Sequence, residues 1–282
     1  MIQCQDLRKS YDTHAVLKGI DLGIPKGSIF GLLGPSGAGK TTLIKILTGQ
    51  IRYDSGNVKV FEKEPACLSG RDKKKFGIMM DNFGVYERFS CGDNLSVYAD
   101  IYGVSHDRIW HILKEVGLED ALKKSASDLS KGMRARLQLA RAFIHAPEII
   151  FLDEPTSGLD PQTMRGIHRI IQEKKDAGCT IFLTTHNMEE ASKLCDKVAL
   201  LNEGEIIEEG KPEDICRRYD HQKKIKIHLS DGKDIELDRQ ETAAGRISEL
   251  LRARMLETIH STEPTLESVF LELTGRNLEE DE

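Results

Sequence analysis

The residues with the clearest chemical content are the nine at 34 to 42, GPSGAGKTT. Their spacing, Gly34-x4-Gly39-Lys40-Thr41, suits a loop whose backbone N–H groups curl round a phosphate. In that pattern Gly34, Pro35, Ser36, Gly37, Ala38 and Gly39 form the curl and Lys40 reaches the β and γ oxygens. The hydroxyl of Thr41, with Thr42 beside it, is placed to ligate Mg2+. Further on, IIFLDEP follows an apolar run with two carboxylates, Asp153 and Glu154. A carboxylate at a strand end facing such a loop can hold Mg2+ while its neighbour orients or deprotonates water. SGLD at 157 to 160 and TTH at 184 to 186 come next, bringing Asp160 and His186 to strand or loop ends. Taken singly, His186 reads as a structural histidine; the ordered series gives it a chemical role.

These groups act together only if the chain gathers them. SIFGLLG enters the glycine loop as a strand, and TTLIKILTG leaves it with Leu43, Ile44 and Leu47 at helical spacing, ending on Gly49. Residues 90 to 145 are helix-rich, and EIIFLDEP is a buried-strand run. Asp160 and Pro161 pair as N-cap and first turn of a helix that runs to Gly178. TIFLTTH and KVALLNEG are two further strands with a helix between them. This alternation predicts an α/β fold, a mainly parallel sheet covered by helices. Past residue 217, KIKIHLSDGKDIELD alternates across an Asp-Gly turn as a hairpin, and ISELLRARML and TLESVFLELTG read as helices. The expected organisation is therefore a main domain over 1–216 and a small α+β appendage over 217–282.

Composition narrows the partners. Lys plus Arg is 40 and Asp plus Glu is 46, a formal net charge of −6 with the signs interspersed, which matches nucleic acid poorly. Apolar stretches fall short of the ~20 residues needed to span a bilayer, so a membrane role must come through a partner. The opening MIQCQDLRKSYD lacks an apolar leader core, and the six cysteines show no metal spacing. Unpaired thiols in a reducing cytosol are the expectation.

The set GPSGAGKTT, LSKGMRARLQLARA (129 to 142), IIFLDEP, SGLD and TTH resembles the ATP-binding subunit of ABC transporters over about residues 1 to 215. The segment at 129 to 142 separates it from nucleotide kinases and GTPases. The resemblance implies a P-loop NTPase core with an N-terminal antiparallel β-subdomain and a helical signature subdomain at about 90–145. It also implies a head-to-tail homodimer with ATP at the interface, each ATP held by one subunit's phosphate loop and the other's Ser130 and Gly132. In that picture Tyr11 stacks on adenine and Lys40 binds phosphate. Thr41 and Asp153 serve Mg2+, Glu154 is the general base, His186 contacts the γ-phosphate and Asp160 shapes the site across the interface.

Two places depart from the family's usual pattern. LSKGM stands where LSGGQ is usual, so Lys131 either adds a cation near the γ-phosphate or points into solvent. The glutamine that usually touches Mg2+ is replaced by Asp81, or by Asn82 if the alignment slips by one. An acid there, LSKGM, and the EPTLESVFLELTGR tail are similar to exporters of drugs and antimicrobial peptides, whose permeases are separate polypeptides. The function expected is an ATP-hydrolysing motor, cytoplasmic and held at the inner face of the membrane by its permease. In it, the loop from Asp81 to Glu87 passes motion to the permease. A soluble ABC ATPase in cofactor assembly is the alternative, and a degenerate regulator is a weaker one that Glu154 and His186 oppose. The appendage either stabilises or regulates the dimer, or packs on a sheet edge.

Overall fold

The chain is described here from a computed structural model, over residues 1–80, 84–221, 223–261 and 264–275. It opens with two long antiparallel strands, β1 (Ile2–Tyr11) and β2 (His14–Ile24), whose Ile2, Leu7, Ile20 and Ile24 point into the core. The strand β3 (Ile29–Leu33) is buried along its whole length and leads through the glycine loop into α1 (Lys40–Leu47). Gly49, at φ +68, follows that helix in the left-handed conformation that ends it. Next come β4 (Ser55–Val60), α2 (Gly70–Lys73) and β5 (Phe76–Met79). Three helices interrupt the alternation: α3 (Cys91–Tyr102), α4 (Asp107–Glu115) and α5 (Lys131–Phe143).

Alternation resumes with β6 (Ile149–Asp153), α6 (Pro161–Asp176), β7 (Thr180–Thr185), α7 (Met188–Leu194) and β8 (Lys197–Asn202). A short reversal gives β9 (Glu205–Gly210), then α8 (Pro212–Arg218). The chain closes with β10 (Lys224–Leu229), β11 (Asp234–Asp238), α9 (Glu241–Arg252), β12 (Leu256–Ser261) and α10 (Leu266–Thr274).

Six strands form the central sheet in the order β5-β6-β7-β3-β8-β9, parallel except for β9, which runs antiparallel to β8. Strands with both faces covered read as unbroken apolar runs, as β3, β6 and β7 do. Side-chain parity then divides the core. Phe30, Phe151 and Phe182 face α1 and the antiparallel sheet β2-β1-β4, while Ile29, Ile150 and Ile181 face α5, α6 and α7. The Phe182 ring lies 6.0 Å from that of Phe30 and 5.9 Å from that of Phe151, directly beneath α1.

Near the end of the chain, β11-β10-β12 form a separate antiparallel sheet, closed by α9 around Ile227, Leu229 and Leu250. Gly232, at φ +83, supplies the hairpin turn. The helix α10 leaves this sheet and packs on α7 and α8, its Leu266, Val269 and Phe270 joining the main core. Among the described residues, no helix is long and apolar enough to cross a membrane. None of the six cysteines forms a disulfide, and burial pushes the Cys4 and Cys179 thiols up to about 12.

Truncating Phe182 to alanine empties the layer between α1 and the sheet. Phe182→Ala is expected to destabilise the chain by ~3–5 kcal/mol, read from urea unfolding, and a loss below ~1 kcal/mol would show that this layer does not support the loop above it.

Candidate functional site

The glycine loop crosses the C-terminal end of β3, and close packing behind it sets its residue types. A Cβ at Gly34 would lie 2.1 Å from the Leu201 carbonyl oxygen of β8, and one at Gly39 would lie 2.8 Å from Leu17 Cδ2. Gly39 and Gly37 also take left-handed φ values of +112 and +81, which turn successive amides the same way. Gly37 has open space in front of it, and a cavity of about 340 Å³ lies there, lined by Pro35, Ser36, Ala38, His14, Val16 and Asn202, among others. Lys40 is buried under this loop. Its ammonium donates to the Gly34 carbonyl at 2.6 Å and the Pro35 carbonyl at 3.2 Å, and stands 3.4 Å from Glu154 Oε1. A buried lysine needs such partners, and here they tie the loop to the end of β6.

Parallel pairing of β6 with β7, in which Asp153 faces Thr184, fixes the other half of the site. Asp153 is buried and accepts from Thr184 Oγ1 at 2.5 Å and from Thr41 Oγ1 at 2.8 Å, so it holds the first turn of α1 against two strand ends. Glu154 follows at φ +50, a strained conformation for a residue with a side chain. Its N–H is pinned by the Thr184 carbonyl at 3.1 Å. One carboxylate oxygen thereby faces Lys40, and the other lies 2.9 Å from His186 Nδ1. Lys40, Thr41, Asp153, Glu154 and His186 thus meet at one edge of the sheet.

Gly132 and Asp160 meet through Thr163, and Ser130 caps the helix that carries Gly132. Ser130 is the N-cap of α5, accepting from the Met133 amide at 3.3 Å. Gly132 fits against Thr163 of α6, where a Cβ would come within 2.8 Å of Thr163 Cγ2. Asp160 caps α6, accepting from the Gln162 and Thr163 amides at 3.0 Å each and from the Thr163 hydroxyl at 2.6 Å. The Thr163 hydroxyl and amide, with the Gln162 amide, hold its carboxyl below the usual carboxylate range. The Lys131 ammonium crosses over Gly158, within 2.2 Å of where a Cβ would stand, and lines a cavity of about 300 Å³ with Asp153 and Glu154. Lys131 thus lies along the SGLD loop while remaining exposed.

Tyr11 ends β1 opposite His14, 46% exposed, with the Lys9 ammonium 5.3 Å from its ring centroid. Asp81 and Asn82 lie outside the described residues. Thr184 escaped notice in the sequence. Its signal was present in TTH, where the residue two before the histidine shares its strand face with Phe182.

Residues 17–157 match the family model described as ABC transporter. The linearmycin resistance ATP-binding protein LnrL of Bacillus subtilis is 31% identical, the match covering 99% of each chain. A fluoroquinolones export ATP-binding protein of Mycobacterium tuberculosis is 38% identical over 93% of this chain and 88% of its own. A solved structure, that of an ATP-binding subunit of an ABC transporter, superposes with a TM-score of 0.70 at 28% identity, covering 78% of this chain and 93% of the other. The fold and site define a P-loop ATPase. This chain belongs to the ABC transporter family, among its ATP-binding, ATP-hydrolysing subunits.

Two outcomes are expected. Gly34→Ala forces the loop off the Leu201 carbonyl and should weaken ATP binding about tenfold or more, by titration with a fluorescent ATP analogue; wild-type affinity would show that the loop does not need this close approach. Because the Asp160 carboxyl titrates lower in the folded chain than its ordinary 3.8, its stabilisation is complete above about pH 4 and is lost as pH falls through the folded value. Asp160→Asn should flatten that acid limb in urea midpoints measured against pH, and an unchanged limb would assign the acid sensitivity elsewhere.

Proposed function

We propose that this chain powers an exporter whose membrane permease is a separate polypeptide, binding and hydrolysing ATP as a head-to-tail homodimer. The observation that carries the hydrolytic part is Glu154, held between the buried Lys40 ammonium and the His186 ring at a sheet edge where Thr41 and Asp153 also meet. The residues present fit a nucleoside triphosphate: a loop whose glycines leave room for phosphate oxygens, a lysine behind it, and a hydroxyl–carboxylate pair beside it. Thr41 and Asp153 would hold Mg2+, which when bound neutralises charge on the β and γ oxygens. Glu154 takes a proton from water and His186 orients the γ-phosphate. Backbone N–H groups from Ser36 to Lys40 orient the β-phosphate, and Tyr11 supplies an exposed ring for the base.

Ser130 and Gly132 make no described contact with the phosphate loop of their own chain, although they belong to the same face through Thr163 and Asp160. That supports their service to the ATP of a second copy. Coupling to the permease is assigned to residues 81 to 87. Met80 lines the cavity that holds Asp153 and Glu154 and also an open groove of about 490 Å³ beside Tyr98, Tyr102, Arg141 and His145. Met80 thus borders both cavities, which supports that assignment. The cargo is a drug, antimicrobial peptide or related amphiphile, a reading supported by relatives named for linearmycin resistance and fluoroquinolone export.

Glu154→Gln keeps the size and one acceptor of the side chain. It should leave ATP affinity within about twofold, lower turnover about a hundredfold or more, and trap a dimer visible by size-exclusion chromatography with ATP. Unchanged turnover would remove Glu154 as the base. Purified from native membranes in that trapped state, the chain should bring a polytopic membrane protein with it in roughly equal amount; a soluble assembly partner instead would replace the exporter reading with a cofactor-assembly one.

A further inference from the structure

Glu190 has no part in the chemistry described so far, yet it is built into the site's support. Its side chain is 0% exposed, and its carboxylate accepts from Thr156 Oγ1 at 2.6 and 2.7 Å and from Thr185 Oγ1 at 3.2 Å. The His168 ring nitrogen Nε2 stands 2.7 Å from the same group. Burying a carboxylate costs several kcal/mol unless its oxygens are filled, and an apolar residue of similar size would pack this position at lower cost. The polar solution calls for an explanation beyond packing.

The origin of the partners supplies it. Thr156 lies two residues after Glu154 in the loop that leads to Asp160, and Thr185 immediately precedes His186. His168 sits on α6, the helix that Asp160 caps, while Glu190 itself belongs to α7, the helix that follows His186. Strand parity separates two tasks on β7: Thr184 points to the α1 face and holds Asp153, whereas Thr185 points to the opposite face and holds Glu190. Glu154 is thereby bracketed. Its own N–H is pinned by Thr184, and the next side-chain anchor along the loop is the Thr156 hydroxyl on Glu190. Between these anchors the backbone is held at φ +50. With the Thr156 tie cut, that side of Glu154 is held only by turn contacts such as the Ser157 amide on the Glu154 carbonyl at 3.3 Å, a weaker hold on its distance from His186.

We infer that Glu190 is a positioning residue for hydrolysis, acting through Thr156 and Thr185 to fix the distance between Glu154 and His186. It touches neither nucleotide nor water. The inference rests on the reading of Glu154 as the base, and a misplacement of about 1 Å at such a group can cost up to about a hundredfold in rate.

The test compares full-length wild type, Thr156→Val, Thr156→Ser, Glu190→Gln and Glu154→Gln by steady-state Mg-ATP turnover and thermal melting. Thr156→Val removes the hydroxyl at constant shape and should lower kcat about tenfold with KM within about twofold. Thr156→Ser loses a methyl but keeps the hydroxyl, and should stay within about twofold of wild type in both. Glu190→Gln, with one acceptor oxygen in place of two, should lower kcat in the same direction by a smaller factor. Wild-type kcat in Thr156→Val overturns the inference, as does an equal fall in Thr156→Val and Thr156→Ser that tracks their melting temperatures. Should Thr156→Val fail to fold, Glu190→Gln decides alone, and an unchanged kcat there overturns it. Loss of turnover in Glu154→Gln beside wild-type rates in the other variants refutes only this inference; retained turnover in Glu154→Gln refutes the base assignment beneath it.

Discussion

Parallel pairing of β3, β7 and β6 is the constraint from which the site follows. Parallel strands end on the same edge, so the loops after Leu33, Asp153 and Thr185 start side by side without further instruction. Register sets the remainder. Leu33 lies opposite Thr185 and Asp153 opposite Thr184, so the glycine loop, the carboxylate pair and the histidine emerge within a few ångströms of one another. A slip of one residue in β7 would exchange the faces of Thr184 and Thr185 and break the bonds that they make to Asp153 and Glu190.

Polar ties then hold what the sheet has gathered. Asp153 joins α1 to β7, and Lys40 joins the glycine loop to Glu154. Buried polar groups of this kind are costly when half satisfied and directional when fully satisfied, which favours a single arrangement of the loops. Packing from behind cooperates: Gly34 is pressed against the Leu201 carbonyl and Gly31 against Cys195 Sγ, so the loop sits deep on β3. The strain at Glu154 is borne by this surround rather than by the residue itself.

Much of this was legible in the residues. GPSGAGKTT, IIFLDEP and TTH announce both their chemistry and their place at strand ends, because uninterrupted apolar runs flank them. Asp160-Pro161 and Gly49 mark a helix start and a helix end that the backbone adopts. The edge strand β9 was harder to see, since EIIEEG carries three glutamates and no clear alternation. The hydroxyl network was illegible for a different reason. Thr156, His168, Thr185 and Glu190 are scattered over 35 positions (156 to 190), and only the packing of α6 and α7 on one sheet face brings them together. The passage of the Lys131 ammonium over the bare backbone of Gly158 is likewise a contact that the sequence does not show.

The return of α10 to the main core changes what the terminal hairpin is in topological terms. Because α10 touches α8, the strands β10 to β12 with α9 are a looped-out insertion between two neighbouring helices, not a tail. Such an insertion leaves and re-enters the body at nearly the same place. Its length and content are therefore free to drift, or to be exchanged for another module, without disturbing the helices that flank it. A truncation meant to delete it would remove α10 as well, and with it the cover over α7, the helix that carries Glu190.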